Sequence, residues 1–262
     1  MIFQTCSEAC RGTWMEIRTD ERIVNYIRKK IQNSHKVVAV LGIEMLVEGG
    51  GYDLDSNDEN YRVEEEYGFC PEDILSTSFF NAKVEMFYRF YKKEILGMKL
   101  HSTPAYDALL RLQRQGKLFA VICQNYHGIP QGINLHNVID LNGNININQC
   151  PHCDKFFDIQ YIINSKGIPQ CDYCKVAIRP GIRLIGERVD SEPMTQAAMA
   201  CDAADVLLIL GKNMYQDRLE YSAAPEQEQL KVLFSKNEFE RNSKVDFIIR
   251  DDIYKFLPLI ID

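Results

Sequence analysis

The chain has no long hydrophobic run and no excess of basic residues. Its apolar runs fall well short of the roughly 18 residues that a membrane-spanning helix needs. Its start, MIFQTCSEACRGTWMEIRTDER, lacks the basic segment followed by an apolar stretch that marks a secretory signal. The 30 Lys and Arg against 37 Asp and Glu give a net charge of −7, which argues against a broad phosphate-binding surface. We therefore expect a cytoplasmic protein that binds neither membranes nor nucleic acids.

The cysteines fall into two groups. Five show no ligand spacing and are expected to be packing groups: Cys6, Cys10, Cys70, Cys123 and Cys201. The others form a CPHC and a CDYC motif with 17 residues between them: Cys150, Cys153, Cys171 and Cys174. Two such turns facing each other supply the four thiolates of a tetrahedral Zn²⁺ site. Disulfide pairing is the alternative, and a reducing cytosol favours zinc. Since four cysteines leave no position for water, the predicted zinc is structural.

Short apolar runs alternate with helical patterns along the chain. Buried strands are predicted at Lys36–Leu41, Leu118–Ile122, Asn137–Asp140, Ala204–Leu210, Lys231–Phe234 and Asp246–Ile249. An amphipathic helix is predicted over Glu16–Asn33, and another begins after the N-cap Thr103 and stops at Gly116. The alternation predicts an α/β fold with a parallel sheet and helices on both faces. Such sheets bind ligands at the carboxyl ends of their strands.

Three further stretches have patterns of their own. The first strand is expected to lead into a loop at Gly42–Asp55. Glycines, Asp and Asn in Gly49–Arg62 predict a surface loop without helix or strand, either a mobile lid or a solvated connection. Phe79–Ile95 places aromatic residues at helical intervals, which predicts a core-packed helix rather than a ligand site.

Four motifs resemble those of the sirtuin family and occur in the family's order. They are QNYHGI at Gln124–Ile129 for QN-x-DG-L, DLNG at Asp140–Gly143 for E-L-H-G, RPGIRLIGE at Arg179–Glu187 for RP-x-V-x-F-G-E, and GKN at Gly211–Asn213 for G-T-S/N. The resemblance covers nearly the whole chain from Lys36 to Pro258. It implies a Rossmann-type, doubly wound parallel sheet in a large NAD-binding domain, with a small domain beside it. The large domain is expected to comprise residues 1–48, 104–143 and 181–262, and the small domain, a helical insert plus a zinc ribbon, residues 49–103 and 144–180.

The resemblance also implies NAD or ADP-ribose as a ligand in the cleft between the two domains. The implied cofactor-binding residues are Gly42, Asp53, Gln124, Asn125, Gly211, Lys212, Asn213, Ser235, Asp252 and Ile253. Asn125 is also implied as catalytic, because with Gln124 it orients the ribose and the departing nicotinamide. A modified protein substrate is expected near Gly186 and Glu187.

Asn142 occupies the position of the family's general-base histidine. An amide has no usable pKa for deprotonating a ribose hydroxyl, so deacylation is expected to be lost or weak. Cleavage of the nicotinamide bond depends more on positioning and electrostatics than on a base. The section from Gly51 to Leu96 also resembles bacterial sirtuins that include the macrodomain-linked mono-ADP-ribosyltransferases, in which an amide replaces the catalytic histidine.

Other positions depart from the family pattern around the expected NAD site. Glu44 stands in the loop that reads G-A-G-x-S in sirtuins, where its carboxylate would need a counter-charge or an outward rotamer. Tyr52–Asp55 lacks the arginine of P-D-F-R, and His127 replaces the Asp of QN-x-D. Lys212 replaces a threonine and could bond phosphate. Two functions stay open: an NAD-consuming enzyme shifted toward ADP-ribosyl transfer, and a catalytically inactive module that binds NAD, ADP-ribose or a modified protein.

Overall fold

The computed structural model describes residues 21–54, 56–188, 190–211, 229–236 and 245–261. The helices are α1 (Glu21–Asn33), α2 (Ile43–Glu48), α3 (Asn57–Tyr67), α4 (Pro71–Ile74), α5 (Thr77–Ala82), α6 (Val84–Phe90), α7 (Pro104–Arg114), α8 (Ile159–Asn164), α9 (Ser191–Asp202) and α10 (Ile253–Ile261). A π-helix at Tyr91–Ile95 follows α6 directly. None of the described helices combines the length and apolar character needed to cross a membrane.

A six-stranded sheet organises the described residues. In chain order the strands are β1 (Val37–Leu41), β2 (Leu118–Cys123), β3 (Val138–Asp140), β4 (Asn148–Gln149), β5 (Phe156–Phe157), β6 (Val206–Leu210), β7 (Leu230–Phe234) and β8 (Phe247–Ile249). The sheet has the order β3-β2-β1-β6-β7-β8, and each neighbouring pair is parallel. β4 and β5 form a separate antiparallel ribbon. The predicted doubly wound parallel sheet is confirmed, since the strand order reverses between β1 and β6.

Helices cover both faces of the sheet because alternate residues of a strand point to opposite sides. Val37, Ala39 and Leu41 of β1 share a hydrophobic cluster with α1, α7 and α10, whereas Val38 and Val40 share one with α9. All five residues of β1 are buried. Because neither face meets water, β1 is a continuous apolar run rather than an alternating one.

Helices α3 to α6, the π-helix and residues 144–180, called here the cysteine-rich segment, share a separate hydrophobic cluster, called here the aromatic cluster. Its fully buried centre is formed by Phe87, Tyr88, Phe90 and Tyr91. The rings of Phe87 and Tyr91 are stacked with 5.5 Å between centroids. The Tyr88 hydroxyl donates a hydrogen bond to the Ile178 carbonyl and so ties the helices to the cysteine-rich segment. The predicted core packing of this aromatic stretch is confirmed.

The prediction of a loop without helix at Gly49–Arg62 is wrong in its second half, which α3 occupies. Most residues of α3 are polar, but Val63 and Tyr67, one turn apart, are buried in the aromatic cluster. Arg62 also forms an ion pair with Glu59 at 2.8 Å on the same helix. The sequence of α3 has little helical pattern of its own. Burial of Val63 and Tyr67 is enough to stabilise the helix, because most helical stability in proteins comes from tertiary packing.

Two other predictions concern the elements on either side of β1. The loop expected at Gly42–Asp55 contains α2, whose Met45 and Leu46 are buried. These two apolar side chains hold α2 against the core. The glycines on both sides of this short helix are typical of loops, so the sequence did not indicate it. The helix expected over Glu16–Asn33 is confirmed from the first residue of α1 onward, and its earlier residues lie outside the described part of the chain.

Candidate functional site

The carboxyl ends of the central strands meet at one edge of the sheet. The Gly42 N–H, after β1, donates to the carbonyl of the last β6 residue at 2.9 Å. The Gln124 N–H, after β2, donates to the carbonyl of the last β1 residue at 3.2 Å, and the Gly211 N–H, after β6, donates to the last β7 residue at 2.9 Å. These three predicted residues therefore lie around the crevice at the order reversal, where open α/β sheets bind ligands.

The carboxylate of Glu44 fills part of this crevice. An ideal Cβ placed on Gly211 would lie 2.1 Å from the Glu44 Oε2 and 2.8 Å from its Cδ. Gly211 has φ +100°, in the left-handed region that favours glycine. A diphosphate here would meet a like charge at contact distance. NAD can therefore bind at this end of the crevice only when the Glu44 carboxylate turns away from Gly211. The predicted Lys212 and Asn213 lie outside the described residues.

Ser235, Asp252 and Ile253 lie together beyond the ends of β7 and β8. The Ser235 N–H donates to the carbonyl of the last β8 residue at 3.1 Å, and its neighbour Lys236 forms an ion pair with Asp252. Hydrogen bonds from Lys236 and Lys255 lower the pKa of Asp252 to about 2. These three predicted cofactor-binding residues are thus brought together beyond the ends of β7 and β8.

Glu48 closes the N-terminus of α10 next to these residues. Its carboxylate accepts hydrogen bonds from the Ile253 N–H at 2.7 Å and the Tyr254 N–H at 3.0 Å. A carboxylate at this point satisfies N–H groups that a helix leaves unpaired and complements the helix dipole. Burial raises the pKa of Glu48, although these hydrogen bonds oppose the shift. The contact fixes α2, the helix that also carries Glu44.

The QNYHG turn after β2 presents two buried polar atoms. The Asn125 Oδ1 accepts the His127 N–H at 2.9 Å, and the His127 Nε2 lies 2.8 Å from the Ile95 carbonyl. Burial lowers the pKa of His127, so the imidazole is neutral and Nε2 carries the proton that it donates. Among the described residues, the Asn125 Nδ2 and the His127 Nδ1 have no hydrogen-bond partner. A buried donor and a buried acceptor in one turn match the two ends of a carboxamide.

Asn142 is only 1% exposed, and both ends of its amide are engaged. Its Nδ2 donates to the Gln124 carbonyl at 2.7 Å, and its Oδ1 accepts from the Arg183 Nε at 3.1 Å. The Arg183 N–H also donates to the Asn142 carbonyl at 2.8 Å. Asn142 therefore acts as a fixed hydrogen-bonding group beyond β3, with no atom that serves as a base at neutral pH.

Asp53 is half-buried in the short segment between α2 and α3. Its neighbour Tyr52 donates a hydrogen bond from its hydroxyl to the Glu94 carboxylate at 2.8 Å. Glu94 lies in the π-helix, is 2% exposed, and also accepts from the Tyr67 hydroxyl at 3.0 Å and from Arg62 at 2.7 Å. The segment that carries Asp53 is thus tethered to the aromatic cluster.

The predicted protein-substrate residues lie on an exposed turn. Gly186 has φ +95°, and a Cβ on it would lie 2.7 Å from the Thr77 Oγ1. Glu187 accepts the Leu184 N–H at 2.7 Å and forms an ion pair with Arg179. These contacts hold the turn beside Asn142 in a fixed shape.

The four predicted metal ligands form a compact group. The Sγ atoms of Cys150, Cys153, Cys171 and Cys174 all lie within 4.8 Å of one another. Both CxxC turns end alike: Asp154 and Lys175 each have φ 58°, and each N–H bonds back to the first cysteine of its turn at 3.0 Å. Two matching turns with four thiols fit a closed tetrahedral zinc site.

Two residues close to the site carried no prediction from the sequence. Arg183 stands between the buried Ile182 and Leu184, and a charge in an alternating segment signals a side chain that faces away from the core. Glu94 interrupts an aromatic stretch, and a carboxylate there signals a buried hydrogen-bonded network, because acidic side chains are almost never fully buried unless paired.

Comparisons with known proteins agree with this geometry. The sequence profile described as the Sir2 family matches residues 58–215. The NAD-dependent protein deacetylase of Clostridium perfringens (strain 13 / Type A) is 32% identical, over 91% of this chain and 98% of that protein. The one from Clostridium tetani (strain Massachusetts / E88) is 31% identical, over 90% of this chain and 96% of that protein.

Two solved structures share the fold. Sir2Tm bound to a propionylated peptide has a TM-score of 0.73 at 23% identity, covering 89% of this chain and 95% of that chain. A Sir2 homologue in complex with NAD has a TM-score of 0.79 at 20% identity, covering 95% of both chains. With the family profile, the two relatives, the sheet order and the four clustered cysteines in agreement, this chain belongs to the Sir2 family, the sirtuins.

Proposed function

We propose that this protein binds NAD and transfers its ADP-ribosyl group to an outside nucleophile, with little or no protein deacylation. The nucleophile replaces nicotinamide on the ribose and gives up its proton to solvent. The Clostridium relatives are named NAD-dependent protein deacetylases, and a Sir2 homologue of the same fold holds NAD, which supports NAD as the substrate. One observation carries the departure from deacylation: Asn142 is a buried amide, hydrogen-bonded to Gln124 and Arg183.

General-base catalysis is the step that this arrangement lacks. A positioned base contributes about 10²–10⁴-fold to a proton transfer, and the amide of Asn142 has neither the pKa nor the freedom to supply it. We expect deacylation to be slower by about that factor. Departure of nicotinamide needs no such base, so that reaction is retained.

The nicotinamide end of NAD would be held by the QNYHG turn, while NAD itself supplies the ADP-ribosyl group. The buried Nδ2 of Asn125 would donate to the carboxamide oxygen, and the Nδ1 of neutral His127 would accept from its N–H. Buried polar atoms left without partners cost free energy, so filling both favours binding. A peptide would lie along the exposed turn at Gly186 and Glu187.

A structural zinc on the four cysteines completes the proposal. The ion would hold Cys150, Cys153, Cys171 and Cys174, which lie next to the aromatic cluster. With all four positions taken by thiolates, the ion has no open site and no part in catalysis. It would hold the cysteine-rich segment in place beneath α3 to α6.

A second candidate function is a non-catalytic module that binds a modified protein. The contact between Glu44 and Gly211 favours it, because a carboxylate at this strand end opposes the diphosphate of NAD and of ADP-ribose alike. The two candidates differ in one observable, which is whether free nicotinamide appears when the protein meets NAD.

The Asn142→His variant tests the proposal. Purified wild-type protein and variant are each given NAD and an acetyl-lysine peptide, and free nicotinamide and deacetylated peptide are measured. We expect nicotinamide from both proteins, and a gain in deacetylation of about 10²-fold or more from the variant only. The matched control is Asn146→His, because Asn146 is an exposed asparagine near the same strand end.

Thermal melting shows whether the larger side chain is tolerated at this buried position. Wild-type deacetylation as fast as that of a well-folded Asn142→His variant would show that the base was not lost. Absence of both nicotinamide release and NAD binding in the wild type would instead favour the non-catalytic module.

A further inference from the structure

The imidazole of His152 lies against one of the four clustered cysteines. Its Nδ1 is 3.3 Å from the Sγ of Cys174. His152 belongs to the CPHC turn and Cys174 to the CDYC turn, so this contact crosses from one turn to the other. The spacing of the motif assigns roles to the cysteines alone and gives none to the exposed histidine between the first two.

The sulfur atoms have the spacing of a metal-loaded site. A Zn–S bond of about 2.3 Å places the sulfurs of a tetrahedral site about 3.8 Å apart. The Sγ atoms of Cys153 and Cys171 are 3.8 Å apart, and all four Sγ atoms lie within 4.8 Å of one another. The contact between His152 and Cys174 is therefore made at a spacing that suits the bound ion.

The chemistry of a zinc-bound cysteine fixes the direction of this hydrogen bond. A cysteine that holds zinc is deprotonated, so the Sγ of Cys174 can only accept. The Nδ1 of His152 is then the atom that carries the proton. The neutral imidazole with its proton on Nδ1 and the charged imidazolium both have this N–H, so the hydrogen bond does not depend on the charge of the ring.

The first cysteine of each turn accepts from the backbone of its own turn instead. The Cys150 Sγ accepts the His152 N–H, and the Cys171 Sγ accepts the Cys174 N–H, each at 3.4 Å. These backbone bonds stay within one turn, whereas the imidazole reaches the opposite turn. Cys150 and Cys171 are buried and Cys174 is only half-buried. The side-chain donor therefore serves a sulfur that is more open to water.

We infer that His152 is a positioning residue of the zinc site, which donates a hydrogen bond to the Cys174 thiolate and so holds the two turns together around the ion. The inference rests on the zinc of the proposed function and goes beyond it, because it assigns retention of the metal to a side chain that is not a ligand. Four thiolates carry more negative charge than Zn²⁺ neutralises, and an N–H donor stabilises the excess. Partners of this kind contribute about 10–100-fold to metal affinity.

The rate of zinc transfer from the full-length, zinc-loaded protein to a coloured chelator tests the inference. We expect His152→Ala to lose zinc about 10-fold faster than the wild type. His152→Asn should come within about 3-fold of the wild-type rate, because its Nδ2 is bonded to Cγ just as the imidazole Nδ1 is. His152→Gln places its amide one bond farther from the backbone and should lose zinc as fast as His152→Ala.

The matched control is Tyr173→Ala, because Tyr173 holds the same place in the CDYC turn and is 83% exposed. Its zinc should leave at the wild-type rate. Melting curves of the loaded proteins verify folding before the chelator is added. Absorption spectra of the Co²⁺-loaded proteins supply a second readout. Loss of a hydrogen bond raises the energy of the sulfur electrons, so the thiolate-to-cobalt band should shift to longer wavelength in His152→Ala and stay unchanged in Tyr173→Ala.

Zinc loss from folded His152→Ala at the wild-type rate would overturn the inference, and so would equally fast loss from Tyr173→Ala. Equal rates for His152→Asn and His152→Ala would show that the imidazole does not act through its Nδ1 proton. A wild type that holds no metal would overturn the inference and the zinc of the proposed function together. Tightly held metal with equal rates in all variants would overturn the inference alone, and release of nicotinamide has no bearing on either result.

Discussion

The side chain of Glu44 determines how much room the crevice at the strand ends leaves for a diphosphate. The crevice has a glycine at each of two neighbouring strand ends, Gly42 and Gly211, and glycine allows close approach of a ligand. The Glu44 carboxylate takes up that space at Gly211. Size and charge of this side chain both oppose a diphosphate, and they can be separated by substitution.

We expect Glu44→Gly to bind NAD about 10-fold or more tightly than the wild type, because it removes both the bulk and the like charge. Glu44→Gln keeps the size of the side chain and removes its charge. Its NAD affinity should therefore rise only by the part that is due to charge repulsion. Isothermal titration with NAD measures both. An affinity of Glu44→Gly no higher than that of the wild type would show that the carboxylate turns away from Gly211 at no cost.

The sequence showed that Glu44 departs from the family's loop motif, but it did not show which residue Glu44 contacts. Its position in the loop after β1 follows from the motif, whereas the contact with Gly211 depends on β1 and β6 lying side by side. The same holds for Asn142 and Arg183, which meet only because the segment after the zinc ribbon returns to the end of β3. Contacts between segments distant in sequence carry no local pattern.

At the scale of elements, the π-helix joins two parts of the candidate site. Its Ile95 carbonyl accepts from His127, and its Glu94 carboxylate accepts from Tyr52, Tyr67 and Arg62. π-helical turns occur often at functional sites. This one holds the turn with Asn125 and the segment with Asp53 in a fixed relation to each other.

Replacing Glu94 by Gln should lower the free energy of unfolding by about 1–3 kcal/mol at pH 7, because three donors then face a neutral amide inside the protein. Chemical denaturation measures the change. The matched control is Glu66→Gln, at a 40% exposed carboxylate that pairs with Lys93, and its effect should stay within about 1 kcal/mol. Equal effects of the two variants would contradict a role for the buried network.

The effect of Glu94→Gln should also depend on pH. Burial raises the pKa of Glu94, but hydrogen bonds from Arg62, Tyr52 and Tyr67 outweigh it and hold the pKa below its ordinary value of 4.5. A carboxylate with a lowered pKa contributes stability above that value and loses the contribution as the pH falls. The difference between wild type and variant should therefore shrink below about pH 4.5.

The strands were predictable and α3 was not, for one physical reason. A strand covered on both faces, such as β1 or β6, must be apolar throughout, so its whole length is visible in the sequence. Helix α3 buries only Val63 and Tyr67. Two apolar residues in a polar segment do not distinguish a helix from a loop, so its presence depends on the aromatic cluster beneath it.

For the whole molecule, we propose two domains with the boundaries predicted from the sequence. The aromatic cluster shares none of its buried core residues with the two clusters of the sheet. Residues 49–103 and 144–180 supply almost all of it, and Ile182 and Leu184 join it from just past the second boundary. Such an arrangement allows one part to open while the other stays folded.

Zinc removal should open only the smaller part. A chelator, or Cys153→Ala, should remove one zinc per chain and expose the amides of 49–103 and 144–180 to hydrogen exchange, because metal binding is coupled to folding. β1 and β6 should stay protected. Cys70→Ala is the control, since the Cys70 side chain makes no cap hydrogen bond and lies outside the cysteine motifs. Loss of protection throughout the sheet would contradict the two-domain proposal.

The position of β1 at the centre of the sheet has a consequence for synthesis on the ribosome. β1 pairs with β2 on one edge and with β6 on the other, and Val206 emerges about 170 residues after Val37. At an elongation rate of about 5–20 residues per second, β1 spends roughly 8–34 s on the ribosome without its β6 partner. An unpaired apolar edge is a template for aggregation. Survival of the nascent chain therefore depends on shielding this pentapeptide, and slower elongation lengthens the exposure.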